Sequence, residues 1–180
     1  MVGAIPLFKI AGAAALAGKS LEEVAAIAQG FADNMATLAV AASGATNPAT
    51  GMEIAQVAAG CMEVGVGLHG EAGKAKPMAT AEETVGIMLD ALLEDLNVLA
   101  EEKLMVIVSG SGATSLMEQL IIYRNCYAYL VEKEIEIVAS HVGELMTVQE
   151  MAGFEICIAR MNEELVEYWN APCRTPYFKK

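Results

Sequence analysis

Leu104-Met-Val-Ile-Val108 is apolar throughout, and no other feature of the chain restricts its fold as tightly. A strand that carries apolar side chains on both faces must be covered on both. The glycine-rich segment Ser109–Thr114 follows, and then Ser115-Leu-Met-Glu118. In that Ser-x-x-Glu pattern the two side chains satisfy each other's orphan backbone donors at a helix start. The spacing predicts a helix to about Glu132 and a second strand over Ile135–Ser140. Strand, helix and strand at this spacing make a βαβ unit with a right-handed crossover and a parallel pair. The expected class is α/β: a layered, mixed and partly parallel sheet covered by helices.

The same helix-start signal recurs. Ser20-Leu-Glu-Glu23 leads into Val24, Ile27, Ala28, Phe31 and Met35, spaced as one helical face. Thr80-Ala-Glu-Glu83 opens a helix carrying Met88, Leu89, Leu92, Leu93 and Leu96, and Thr147-Val-Gln-Glu150 and Asn162-Glu-Glu mark two shorter ones. An alanine-rich helix over 5–17 is expected to stop at Gly18. Further strands are predicted over Thr37–Ala42, Met62–Leu68 and Glu155–Arg160, leaving 43–60 and 70–79 irregular. No repeat or linker divides the chain, so residues 1–180 are read as one domain.

Composition narrows the function classes. Hydrophobic residues make up 55% of the chain, yet no run of about 18 apolar residues exists to cross a membrane. Met1–Ala17 lacks a basic leader before a long apolar core and reads poorly as a signal peptide, so a cytoplasmic protein is expected. The net charge of −12 disfavours nucleic acid and anionic membrane surfaces as partners. Cys61, Cys126, Cys157 and Cys173 form no CxxC pair and have no His at metal spacing. They are expected to be reduced, with no disulfide framework and no bound metal.

Among candidates for chemistry, His69 comes first. Apolar residues at 62, 64, 66 and 68 alternate with Glu63, Gly65 and Gly67, then run into His69-Gly70-Glu71. Glycines there let the backbone bend tightly or approach a ligand closely. A neutral imidazole serves as base, metal ligand or nucleophile, and the spacing does not choose among them. A histidine hydrogen-bonded in a turn is an equal reading of the spacing. Gly67, Gly70 and Glu71, the last as an orienting carboxylate, tilt the balance towards function. The turn Ser109–Thr114 could offer amides to an anion, but it lacks the P-loop Lys and reads better as a tight βα turn. His141 is expected to be structural, Trp169 and Tyr177 to be packing anchors, and Asp33 and Glu94-Asp95 to be solvated.

Taken with its neighbours, the His69 segment resembles the dihydroxyacetone kinase K subunit. The resemblance rests on Lys9–Ala15, Ser20–Val24, Met62–Glu71, Gly112–Thr114, Met117-Glu118, Met151–Phe154, Ala171-Pro172 and Thr175-Pro176, in order along nearly the whole chain. It is confined to the C-terminal half of that subunit. It implies that His69 is catalytic, adding to the ketone carbon of dihydroxyacetone as a covalent hemiaminal, with Gly67, Gly70 and Glu71 around the substrate. Carbonyl addition would select ketones over polyols, which offer similar hydroxyls but no electrophile. The family's other half carries a Gly-Gly-Gly-Ser-Gly-His segment and acid–base residues, and nothing like that segment occurs here.

The resemblance therefore implies a split kinase. This chain would be the substrate-anchoring subunit, partnered by a complementary N-terminal-half subunit and by a nucleotide-binding subunit that carries ATP or ADP with Mg. No cofactor is expected on the chain itself, and a homo- or hetero-oligomer is. Ala72 stands where the family usually has Pro, Ser109-Gly-Ser-Gly-Ala-Thr114 where it has Asn-x-Leu-Gly-Ala-Thr, and Glu150 where it has Asp. The 43–60 loop keeps Thr46 and Pro48 without the family's Cys. These departures admit a related ketose such as erythrulose. The alternatives are a ketose-sensing regulatory binding protein without kinase activity and a scaffold in which His69 is a relic.

Overall fold

The computed structural model describes residues 1–67 and 71–180. Its elements run α1 (Ala4–Leu16), α2 (Leu21–Ala32), β1 (Met35–Ala41), β2 (Ala45–Thr46), β3 (Glu53–Ile54), β4 (Cys61–Val64), β5 (Lys74–Pro77), α3 (Ala81–Leu96), β6 (Lys103–Gly110), α4 (Leu116–Glu132), β7 (Glu136–Gly143), β8 (Gly153–Arg160) and α5 (Glu163–Asn170). Six strands form one sheet in the order β5-β4-β1-β8-β6-β7, and β2 pairs with β3 apart from it. β6 and β7 are parallel, joined by α4 as the βαβ pattern predicts, while every other pairing is antiparallel.

Helices cover both faces. Val106, Val108, Ile156 and Ile158 meet Met88, Leu89 and Leu92 of α3 and Ile122, Cys126 and Leu130 of α4. Met105, Ile107, Cys157 and Ala159 meet Ile10 of α1, Phe31 of α2 and Trp169 of α5. The residues of β6 from Leu104 to Val108 are wholly buried, as an apolar strand between two helical layers must be.

Capping explains where helices begin. Ser20, Thr80 and Ser115 each accept from the third helical N–H, and Glu23, Glu83 and Glu118 reach back to the cap amides. Asn162 caps α5, and Gly18, at φ +86°, follows the end of α1.

The Thr147-x-x-Glu150 pattern does not start a helix. Val148–Met151 form a turn instead, closed by Met151 N–H on Val148 O. Val148 N–H donates to Ser111 O at 2.8 Å, Ala113 N–H donates to Met151 O at 3.1 Å, and Gln149 adopts φ +44°. Glu150 bonds the Thr46 side chain rather than a cap amide. A local signal has lost to pairing with the neighbouring loop.

Two strand expectations are corrected as well. The strand expected over Met62–Leu68 ends at Val64, because Gly65 at φ +91° turns the chain away. Lys74–Pro77, expected to be irregular, returns antiparallel to β4 as the sheet's edge. Lys, Ala, Lys and Pro suit an exposed edge, where charge and proline block further pairing. Cys126 and Cys157 are buried, Cys61 and Cys173 half-buried, and all four are free. No described helix is long and apolar enough to cross a membrane.

Candidate functional site

A cavity of about 280 Å³ lies at the end of the sheet where the parallel strands β6 and β7 finish, the end at which open α/β sheets bind ligands. Ala39 of β1 and Glu155 of β8 line it from the sheet, and Ile54–Gln56 from the β2–β3 hairpin. Val66, Gly67, Glu71 and Ala72 close one side, and Ser111, Val148 and Met151 close another.

Leu68, His69 and Gly70 fall outside the described residues, so the expectations for His69 and Gly70 lie there too. The flanks are defined. Gly67 N–H donates to Glu71 O at 2.9 Å, clamping the two ends of that segment together. A Cβ on Gly67 would overlap the Glu71 side chain, so glycine is needed for this closure. Gly73 lets the chain pass close to Val64 on its return into β5, where a Cβ would lie 2.8 Å from Val64 O. Gly67 and Glu71, two of the expected site residues, thus meet across the base of the His69 segment and both line the cavity.

The opposite wall is stitched by side chains. Thr114 Oγ1 donates to Gly153 O at 2.6 Å and accepts from Gly153 N–H at 3.1 Å. Ser109 Oγ accepts from the Leu145 and Met146 amides, and Ser43 Oγ accepts from Ala152 N–H. The amides of the 109–114 turn are used inside the protein: Ser111 on Gly153, Gly112 on the Glu144 carboxyl and Ala113 on Met151. The turn therefore builds the cavity wall, and these three amides are already engaged and closed to an anion.

Glu155 lines the cavity and is a buried carboxylate that sequence reasoning missed. It stands in the run Gly-Phe-Glu-Ile-Cys-Ile-Ala, where one charge among apolar residues gives no periodic signal. Its Oε2 accepts from Val2 N–H at 2.6 Å. Burial is the main influence on its carboxyl and pushes the pKa above the ordinary range, against the Val2 hydrogen bond that lowers it. Glu63 and Gln56 also line the cavity, with Ser111 from the 109–114 turn.

The remaining candidates lie elsewhere. His141 is half-buried within β7, its ring 5.2 Å from that of Phe178. Burial holds its pKa down, as befits a packed, neutral imidazole. Trp169 is a core anchor, but Tyr177 is 69% exposed and is no packing anchor. Asp33 bonds Gln29 on the surface of α2. Among the described residues, no group of three or more His, Cys, Asp or Glu is placed to hold a metal ion.

The Dak1 domain family matches residues 1–177. The chain is 36% identical, over 99% of its length and 54% of the relative's, to the dihydroxyacetone-binding subunit DhaK of PTS-dependent dihydroxyacetone kinase 2 from Listeria innocua. It is 34% identical to an L-erythrulose kinase of Pectobacterium atrosepticum, covering 100% of this chain and 31% of that enzyme. Among solved structures, the dihydroxyacetone kinase operon co-activator Dha-DhaQ superposes with a TM-score of 0.90 at 26% identity, over 96% of this chain and 54% of that one. The chain thus spans about half the length of the first relative and under a third of the second.

Proposed function

We propose, from the premise that this chain belongs to the Dak1 domain family, that it is the substrate-anchoring part of a dihydroxyacetone-type kinase. The observation that carries this reading is the small cavity bounded by Gly67 and Glu71 on either side of His69. At about 280 Å³ it falls just under the volumes typical of drug-sized ligands and suits a short ketose. Dihydroxyacetone and erythrulose are named as ligand or substrate for the similar proteins.

In the proposed chemistry the His69 imidazole N–H adds across the ketone. The nitrogen bonds the carbonyl carbon, the proton ends on the former carbonyl oxygen, and nothing leaves. The hemiaminal fixes the triose so that a terminal hydroxyl faces a phosphoryl donor, where positioning supplies much of the catalysis. Glu71 orients the imidazole. ATP or ADP with Mg belongs to a nucleotide-binding partner.

The remaining pocket residues belong to a complementary half outside residues 1–180, read here as a separate subunit of a cytoplasmic, oligomeric enzyme. Leu116, Met117, Leu120 and Ile121 on α4, with Met78, are exposed at the same end of the sheet on its other face. Apolar surface of this kind supports a docked partner. The second reading, a ketose-sensing regulator, is favoured by one finding: the solved structure with the 0.90 TM-score is described as an operon co-activator.

Intact-protein mass spectrometry after incubation with dihydroxyacetone, with and without a complementary half, tests the anchor. The wild type should gain one triose at His69, and His69→Ala should gain none while melting normally. Undiminished ketose retention by the folded variant would sink covalent anchoring. Phosphorylation with only a nucleotide subunit added would sink the split-subunit reading, and adduct formation without phosphorylation by any assembled complex would favour the sensor.

A further inference from the structure

Packing asks only one thing of Glu155, an acceptor for the buried Val2 N–H, and a neutral amide would supply that as well. On β8 it shares a face with Cys157 and Ala159, both fully buried, and is itself 1% exposed. An apolar side chain of similar volume would avoid the cost of desolvating a charge but would leave that N–H unpaired, whereas an uncharged Gln would avoid both costs. A carboxylate offers about four acceptor positions, and among the described residues Glu155 receives one hydrogen bond, from Val2 N–H. Its partners in the sheet register are Ala39 and Ser109. Both are small, and the Ser109 hydroxyl proton goes to Gly110 O. Space beside the carboxylate is thereby kept open, and that space is the cavity.

Carboxylates dominate the described lining of the cavity, and the positive charge that acts on Glu155 is that of the amino terminus, outside the lining. Glu63 and Glu71 line it with Glu155, and no Lys or Arg does among the described residues. An anion entering would meet carboxylates across a poorly screened gap, whereas a hydroxyl would meet an acceptor. We infer that Glu155 is a specificity-determining residue whose carboxylate accepts a hydroxyl of a neutral ketose and repels anionic ligands, so that the cavity holds a short ketose and disfavours its phosphate ester. This rests on the ketose-binding reading given above. It gives the site a direction, since the ligand that enters neutral loses its fit once it carries a phosphate.

Calorimetric titration of the full chain with dihydroxyacetone and with dihydroxyacetone phosphate tests the inference. The wild type should favour the neutral ligand by at least about tenfold, and Glu155→Gln, which keeps an acceptor for Val2, should narrow that ratio by about tenfold. Glu155→Ser, smaller and also uncharged, should narrow it likewise, with melting curves confirming that both variants fold. Equal binding of the two ligands by the wild type, or an unchanged ratio in both folded variants, overturns the inference and leaves ketose binding standing. Failure of the wild type to bind dihydroxyacetone at all overturns both.

Discussion

Replacing Gly112 by Ala should cost far more than any other glycine-to-alanine change in the turn, helix and loop positions that have room for a methyl group. Gly112 sits at φ +129°, where an L side chain costs about 1–3 kcal/mol of backbone strain. Its new Cβ would overlap the carbonyl oxygen of Gln149, and a backbone atom cannot swing aside as a flexible side chain can. Separating the two segments endangers the Ala113–Met151 and Val148–Ser111 hydrogen bonds, each worth about 1 kcal/mol. The total is roughly 3–5 kcal/mol, a large fraction of a typical domain's stability. At roughly 2–4 °C per kcal/mol for a chain of this size, the melting temperature should fall by about 10 °C. Gly12, inside α1 with nothing within 4 Å of an added Cβ, is the control: Gly12→Ala should stabilise by about 0.5–1 kcal/mol. Urea unfolding gives both values from the midpoint and slope. A loss below about 1 kcal/mol for Gly112→Ala with an unchanged slope, or an equal loss for Gly12→Ala, would refute the reasoning. Because Ser111, Val148 and Met151 wall the cavity, ligand retention should fall along with stability.

Arg160 holds Glu102 at 2.5 Å and also donates to the carbonyls of Leu96 and Asn97, tying the end of α3 to the start of β6. Arg160→Lys should lose about 1–2 kcal/mol in urea unfolding, since one ammonium cannot reproduce the guanidinium fork; a loss within error would show that these contacts are dispensable. Glu155→Gln should alter the dependence of stability on pH. The folded carboxyl has a raised pKa, so the wild type is favoured below the ordinary Glu value of about 4.3 and loses stability as pH rises through the raised one. The variant carries no such loss, and its melting temperature relative to wild type should climb across that window. A difference that stays flat with pH would mean that Glu155 ionises as it does in the unfolded chain.

The parts of the fold legible in the sequence are those fixed by neighbours a few residues apart. Three capping boxes and the βαβ crossover stand where the pattern puts them, because a Ser or Thr and a Glu three residues on need only each other. The same pattern at Thr147 fails because Ser111 and Thr46, remote in sequence, engage that segment first. Alternation marked Met62–Val64 as strand but could not show that Gly65 would take a positive φ and end it. β5 was hidden because an edge strand is polar by design, and Lys-Ala-Lys-Pro has no apolar face to betray it. Glycines around His69 pointed to a site; Gly67 and Glu71 line a cavity, while His69 and Gly70 lie outside the described residues. Glu155 was illegible, since its meaning depends on Ala39 and Ser109, which reach it only across the sheet.

β8, near the end of the chain order, lies between β1, near its beginning, and β6. Until residues 153–160 slot in, the sheet is two separate pieces, and Ala39 and Ser111 have no common wall. Such pairing between distant segments is slow to form. The cavity has no complete wall until β8 is in place, and a molecule bound there would act as a latch on that strand. Amide exchange along β8 should slow when ligand is present, more than exchange on helix α3, which packs on the face of the sheet away from the cavity, so that occupancy of the site would be written into the kinetics of the sheet's central seam.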